Sequence, residues 1–429
     1  MTPKSNLSYR LLEKTLLGFL FVIANRRAWY CFFVLDPKYR CDYGFASTDF
    51  VVWGCLVIGF LLLVIRRRLL VKFFHAWRTN WILVVFLIYS FISIVWASDP
   101  MLSLQTAFIF TAASLSASYL AFTYKTEQLI TILLWFFGIT ALLSLASVII
   151  LPQVSIMSFE GLMGSWRGIL DHKNYLGSLM ALGNSLFLMS VWQPAISLRR
   201  KLICIAFYGL TLFLVVMSKS ATGLMLVVIL YSLIVIYFSW MTWRNRIRPR
   251  HFAVILTVLV FCFGFLIMKL DTFFALFGKS SSLTGRVPLW SYLFRYVISR
   301  RPWFGYGSET YWATGEFRRL VGGAAWWDPW MVNAHNGYVD ILIYLGMIGL
   351  LVFAFLLLQI IVYAVQYAFR SPSWRVFFPL LILTDVLVAN LTISYFVEFE
   401  SFHWILLVLV LFITTADRNS HFFEKLPRA

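Results

Sequence analysis

Six histidines and a few outlying arginines carry most of the chemistry that this 429-residue sequence can offer. His335 lies in AAWWDPWMVNAHNGY, residues 324 to 338, directly before a long apolar run. Imidazole is the side chain whose ordinary pKa suits taking up a proton near neutrality, so a histidine at such a boundary is a candidate general base. Arg167 in GSWRGILDHKN, Arg286 in LTGRVPLW, and Arg300 with Arg301 in SRRPWFGYGS suggest a second role. A guanidinium stays charged and grips phosphate oxygens two at a time, so these arginines point to an anionic ligand. Phospholipid headgroups, or ion pairs with Glu160, Glu309, Glu316 or Asp328, are the alternative for each of them. Arg167 and Arg286 stand out because a helix-capping asparagine and a glycine-rich turn lie beside them.

The elements that must position these groups are membrane helices. The chain is 61% hydrophobic and only 13% charged, with a mean hydropathy of +0.83, which excludes an ordinary soluble domain. Aromatic residues reach 19%, as expected where rings sit at lipid interfaces. A spanning helix needs about 20 mostly apolar residues. Twelve candidates fall near 12 to 24, 50 to 65, 81 to 96, 103 to 122, 129 to 151, 174 to 192, 202 to 218, 222 to 240, 252 to 270, 336 to 365, 376 to 395 and 402 to 416. The tenth is long enough to begin as an interfacial or broken helix. The predicted class is an all-α integral membrane protein of about 12 transmembrane helices. We read residues 1 to 429 as one polytopic domain with no internal repeat, and 271 to 335 as an extracytoplasmic cap inserted before span 10.

Basic residues gather in alternate loops, among them RRR at 66 to 68, RRK at 199 to 201 and RNRIRPR at 244 to 250. By the positive-inside rule that side is the cytoplasm, which puts both termini inside. The net charge of +18 is then mostly a topology signal with some attraction to anionic membrane lipids, and no nucleic-acid motif accompanies it. His75, His251 and His421 fall on the cytoplasmic side, while His172, His335 and His403 fall at the outer ends of spans. Two outer segments are too long for plain loops: 152 to 173, and 271 to 335, which holds a helical piece at 287 to 300. The five cysteines are too scattered for a disulfide framework or zinc ribbon; Cys31 and Cys41 flank an outer loop and either pair locally or stay free. No cleavable signal peptide is apparent.

Three blocks together resemble one family. HNGYVDILIYLGMIGLLVF, with His335, Asn336, Gly346 and Gly349, is similar to the histidine motif of the bacterial O-antigen ligase and O-antigen polymerase superfamily. WRGILDHKNYLG, with Arg167, His172, Lys173, Asn174 and Gly177, resembles the matching segment of its exopolysaccharide-polymerase branch. TGRVPLW followed by RPWFGYGSETYW, with Arg286, Pro302, Gly305 and Gly307, resembles the third block. The resemblance is dense from about 80 to 355. It implies an integral-membrane, GT-C-like glycosyltransferase in a bacterial inner membrane, with its site facing the periplasm. The donor would be a glycan on undecaprenyl diphosphate, and the acceptor a lipid-linked glycan or lipid A core. A flippase and a chain-length regulator would be candidate partners. By motif position the resemblance makes His335 the base and Arg167 and Arg286 the holders of the diphosphate. Direct displacement then inverts the anomeric carbon and requires neither metal nor cofactor.

Further residues have two readings each. Asn336, His172, Lys173, Asn174, Arg300 and Arg301 are candidate substrate contacts within the motifs. Lys219 in SKSATG reaches either a phosphate or a lipid headgroup. Asp340 shares a helix face with Tyr344 and either orients the imidazole, contacts sugar hydroxyls or is a satisfied buried polar group. Trp326, Trp327 and Trp330 form an interfacial belt or a platform for sugar rings, with Trp327 the candidate contact. Asp385 and Asn390 fall inside a span, where an ionisable group is expensive and hence a functional candidate, unless they pair with a neighbouring helix. Glu398 and Glu400 are one residue apart, a poor spacing for two ligands on one face of a helix. A transporter or flippase fits the count of twelve, but the halves show no repeat and no matched broken helices.

Overall fold

The computed structural model describes residues 20, 47–158, 162–193, 196–243, 286–313, 333–371, 373–396 and 402–418. Its main helices are α1 Ser47–Arg66, α2 Leu70–Thr79, α3 Trp81–Ile92, α4 Pro100–Thr123, α5 Thr126–Ile150, α6 Lys173–Val191, α7 Leu198–Met217, α8 Ala221–Trp243, α9 Arg286–Tyr292, α10 Gly337–Ala368, α11 Trp374–Ala389 and α12 Phe402–Arg418. Side-chain caps mark several starts. Asp99 accepts from the Leu102 amide at 3.0 Å with Pro100 at the first helical position, and Ser197 and Ser373 cap α7 and α11. The one departure from an all-α chain among the described residues is a ribbon of β1 Ile156–Met157 and β2 Ser165–Trp166, with Ile156 opposite Trp166.

Five helices, α4, α5, α7, α8 and α10, are long and apolar enough to cross a membrane. The bent pair Leu70–Thr79 and Trp81–Trp96, folded by 81° at Asn80, makes a sixth if counted as one span. Apolar side chains such as Trp135, Ile149, Ile150 and Leu198 face outward, as they do in a lipid-embedded chain. The protein is a multi-pass membrane protein, with fewer helices of spanning length among the described residues than the twelve the sequence predicts. The predicted spans at 12 to 24, apart from Leu20, and at 252 to 270 lie outside those residues, as do the cap residues 271 to 285 and 314 to 332.

α6 is the central element. It packs against α5, α7, α8 and α11, and Leu176 to Leu186 are buried without interruption. α4 packs against α1 and α12 through a run of small buried residues, Ala112, Ala113, Ser114, Ser116, Ala117 and Ser118. Small side chains let helix backbones approach where no water drives association. The Trp404 indole donates to Ser114 Oγ at 3.1 Å in that contact.

The sequence leaves room for a break in the tenth span, and α10 has one at Gly346, with φ +66° and ψ −168°. That region of backbone space is open to glycine alone. A Cβ there would lie 2.3 Å from the Trp303 carbonyl group. Breaking a helix frees carbonyls and amides that lipid cannot satisfy. The segment 302 to 307 meets them: Tyr306 and Gly307 amides donate to Ile343 O and Tyr344 O, both at 2.9 Å. Beyond the break the Met347 amide donates to Pro302 O at 2.7 Å, and Tyr89 Oη donates to Leu345 O at 3.1 Å. The described part of the cap is thereby stitched into a membrane helix. Gly346→Ala is expected to lower stability by about 1–3 kcal/mol, the range for a forced backbone outlier. Thermal unfolding in detergent measures it, and an unchanged midpoint would contradict the strain argument.

Candidate active site

The chain entering α10 is held at four successive amides, 334 to 337. Ala334 N donates to both oxygens of Asp340, at 3.1 and 3.0 Å, and His335 N donates to Asn333 Oδ1 at 3.0 Å. Asn336 N donates to Ser394 Oγ at 3.0 Å, and Gly337 N to Asn390 O at 2.9 Å. The Ala334 carbonyl is used as well, accepting from the Trp290 indole at 2.9 Å. Asp340 also accepts from the Trp312 indole at 2.8 Å. His335 is thus fixed at φ +51°, a left-handed conformation uncommon for a side-chain-bearing residue. Its imidazole has no hydrogen-bond partner among the described residues.

Trp290 places Arg286. The two are four apart in α9, so they share a face, and the indole's bond to Ala334 turns that face toward His335. Burial lowers the Arg286 pKa from its usual value, and the guanidinium stays charged. Burial, then the charge of Arg286, lowers the His335 pKa from 6.5 to about 4.

The third side of the site comes from the ribbon and the start of α6. Arg167 N and Gly168 N both bond Ser155 O, at 2.9 and 3.2 Å, which turns the chain after β2. Gly168 has φ +59°, and a Cβ there would lie 2.5 Å from Ser144 Cβ, so the turn packs directly on α5. Arg167 is oriented by two carbonyls, Nε to Val154 O at 2.6 Å and an Nη to Asp171 O at 3.1 Å. His172 caps α6, its Nδ1 accepting from the Asn174 amide at 3.2 Å. The capping residue is therefore His172 rather than the predicted asparagine. Asn174 sits in the first turn instead, and its Oδ1 accepts from Ser220 Oγ at 3.0 Å. An Nδ1 acceptor assigns the proton of the neutral ring to Nε2.

Electrostatics join the three sides. The His172 pKa is lowered from 6.5 to about 3, first by burial and then by repulsion from protonated His335 and from Lys173, Arg286 and Arg167. Residues from three separate stretches of sequence therefore act on one another across one site. Lys219 stands at its edge at φ +49°, its carbonyl accepting from Lys173 Nζ at 3.2 Å and its Nζ donating to Met163 O at 3.5 Å.

The matched family is consistent with that convergence: residues 206 to 354 fit the model described as O-antigen ligase. That match spans about a third of the chain and supports a place in the O-antigen ligase and polymerase superfamily. At a coarse level it supports a membrane enzyme of the ligase or polymerase type. The matched stretch includes Lys219, Arg286, His335 and Asp340, whereas Arg167, His172 and Lys173 precede it and reach the site through the fold. No curated protein matches the chain.

Other predicted residues take different places. Asn336 caps α10, its Oδ1 accepting from Tyr338 N at 3.0 Å and Val339 N at 3.3 Å, which engages the amide structurally rather than toward a ligand. Asp340 holds the Ala334 backbone rather than the imidazole. Arg301 bonds Trp96 O at 3.2 Å and lies over the Tyr306 ring, and neither it nor Arg300 is among the charges acting on His172 or His335. Asp385 pairs with His403 across α11 and α12, 3.5 Å apart and both buried, and the His403 ring stacks on Tyr395. Trp326, Trp327, Trp330, Glu398, Glu400, Cys31 and Cys41 lie outside the described residues. Among the described residues no three His, Cys, Asp or Glu side chains are grouped to hold a metal. Trp290, Trp312, Asn333 and Ser394 were invisible as site residues; the i, i+4 spacing of Arg286 and Trp290 was the one available signal.

Both site histidines bind a proton more readily in the unfolded chain, near pH 6.5, than in the folded protein, at about 4 for His335 and about 3 for His172. The unfolded state therefore holds more protons in that window, and stability falls as pH drops from about 6.5 through those two values. Thermal midpoints in detergent should be highest above pH 6.5, decline toward pH 4, and depend less on pH in His335→Gln. A midpoint that rises on acidification would contradict burial of neutral imidazoles.

Proposed function

We propose that the protein is an inverting glycosyltransferase that polymerises undecaprenyl-diphosphate-linked repeat units at the outer face of a bacterial inner membrane. The observation that carries this reading is the convergence of His335, Arg286 and Arg167 on one site from three separate stretches. An acceptor hydroxyl attacks the anomeric carbon, the bond from that carbon to the diphosphate oxygen breaks, and the hydroxyl proton passes to His335. The diphosphate leaves with its charge held by Arg286 and Arg167, supplemented by Lys173 and Lys219 at the edge. The neutral ring of His335 is ready to accept a proton, whereas His172 spends its Nδ1 lone pair on the α6 cap. His172 is thus a neutral Nε2–H donor, suited to a phosphate or sugar oxygen. Entry of a diphosphate offsets the charge of Arg286 and strengthens His335 as a base when substrate is present.

The ligase reading, transfer of the finished glycan to lipid A core, keeps the same donor chemistry and is favoured by the description of the matched family. Polymerisation is preferred on the WRGILDHKN segment, which supplies Arg167 and His172. Purified protein given only lipid-linked repeat units should lengthen chains. Capping of an outer-core acceptor without lengthening would replace polymerase by ligase.

His335→Ala and Arg286→Ala are expected to reduce transfer at least ~100-fold, the lower range for losing a positioned base or a stabiliser of leaving-group charge, with insertion and folding intact. Near-normal polymer length in either variant would sink the mechanism. Transfer should survive EDTA, whereas loss restored by a divalent ion would bring the Glu398 and Glu400 pair back into the reaction.

A further inference from the structure

The end of the molecule opposite the candidate site carries a second binding feature. α6 runs 19 residues from Lys173 to Val191, which at about 1.5 Å per residue sets its far end ~28 Å away. There a groove of about 570 Å³ is lined by Val191, Trp192, Gln193, Ile196, Lys201 and Phe238. Trp192 and Phe238 form an edge-to-face pair with centroids 5.5 Å apart, which makes one wall aromatic.

Lys201 lines the other wall, and it stands beside Arg199 and Arg200 in a place unfavourable for cations. Arg199, Arg200 and Lys201 fall in the first turn of α7, which contains no acidic residue. The N-terminal end of a helix carries partial positive charge, so three cations there repel both the dipole and one another. All three are exposed, and none forms an ion pair with a described carboxylate. An anion at the groove relieves that repulsion. Along α7 the surface continues as exposed Leu198, Leu202 and Ile203, an apolar flank that a free anion would not use and an acyl chain would.

We propose that this groove binds an anionic phospholipid, its phosphate on Lys201 with Arg199 and Arg200 flanking it, its glycerol end against Trp192 and Phe238, and an acyl chain along α7. An aromatic ring beside a cation cluster at the membrane surface suits an amphiphile with a charged head. The site is independent of the reaction assigned to the opposite face.

The test uses the full chain in detergent, titrated with dioleoylphosphatidylglycerol or dioleoylphosphatidylcholine, with retained lipids counted by native mass spectrometry. The phosphatidylglycerol complex is expected to be the tighter. Each neutralised cation should weaken it roughly fivefold, so Lys201→Gln gives a small loss and the triple Arg199→Gln, Arg200→Gln, Lys201→Gln variant roughly a hundredfold loss. Trp192→Ala should weaken it with all charges in place. Neutralising Arg66, Arg67 and Arg68 together should leave it unchanged, and excess inorganic phosphate should not displace it. Equal retention of phosphatidylcholine, wild-type retention by variants with a wild-type unfolding midpoint, equal loss in the Arg66 to Arg68 variant, or displacement by phosphate would each overturn the proposal.

Discussion

The site rests on the obligation of buried backbone amides to find acceptors. Residues 334 to 337 present four N–H groups in succession at the start of α10, where helix geometry provides no partner. Each is met by a group from a different place: the Asp340 carboxylate, Asn333 Oδ1, Ser394 Oγ and the Asn390 carbonyl. Leaving one such amide without an acceptor costs about 1–3 kcal/mol, so the four together define one loop geometry. The orientation of His335 is a consequence of main-chain satisfaction, and α11 with its following turn belongs to the site although it contributes no reacting group.

The same reasoning links the membrane helices to the outer segments. The break at Gly346 exposes carbonyls that only protein can satisfy, and 302 to 307 satisfies them. Arg286 is carried by the helix just before that segment and His335 by the loop just before the break. Their relative placement is therefore set twice, by the backbone pairing at the break and by the Trp290 bond to Ala334.

Sequence reading found what depends on local chemistry. Membrane class and most helix positions follow from apolar run length, and charges placed where they are costly brought forward Arg167, His172, Lys173, Arg286 and His335 as candidate site residues. It missed what depends on tertiary partners. Asn336 reads as a ligand contact because its motif is shared, but its amide caps α10. Asp340 reads equally as an orienting carboxylate, a sugar contact or a satisfied buried group, and only its tertiary partners, an amide and an indole, select the last. Asp385 and His403 are flagged separately, and only the packing of α11 on α12 brings them together. A two-residue ribbon such as β1 with β2 has no periodicity to detect, although it aims Arg167.

The pairing across Gly346 also closes a loop. From Pro302 to Met347 the chain leaves and returns to one neck, and residues 314 to 332 lie within that circuit. Closure entropy rises only slowly with contour length, by about 0.6 kcal/mol for each doubling. Insertions or deletions in the circuit therefore disturb the neck little, and His335 keeps its seat. Chain length can thus change between Ala313 and Asn333 at little entropic cost to the neck, a division of labour in which sequence drifts inside the circuit while the bonds that seat His335 stay in place.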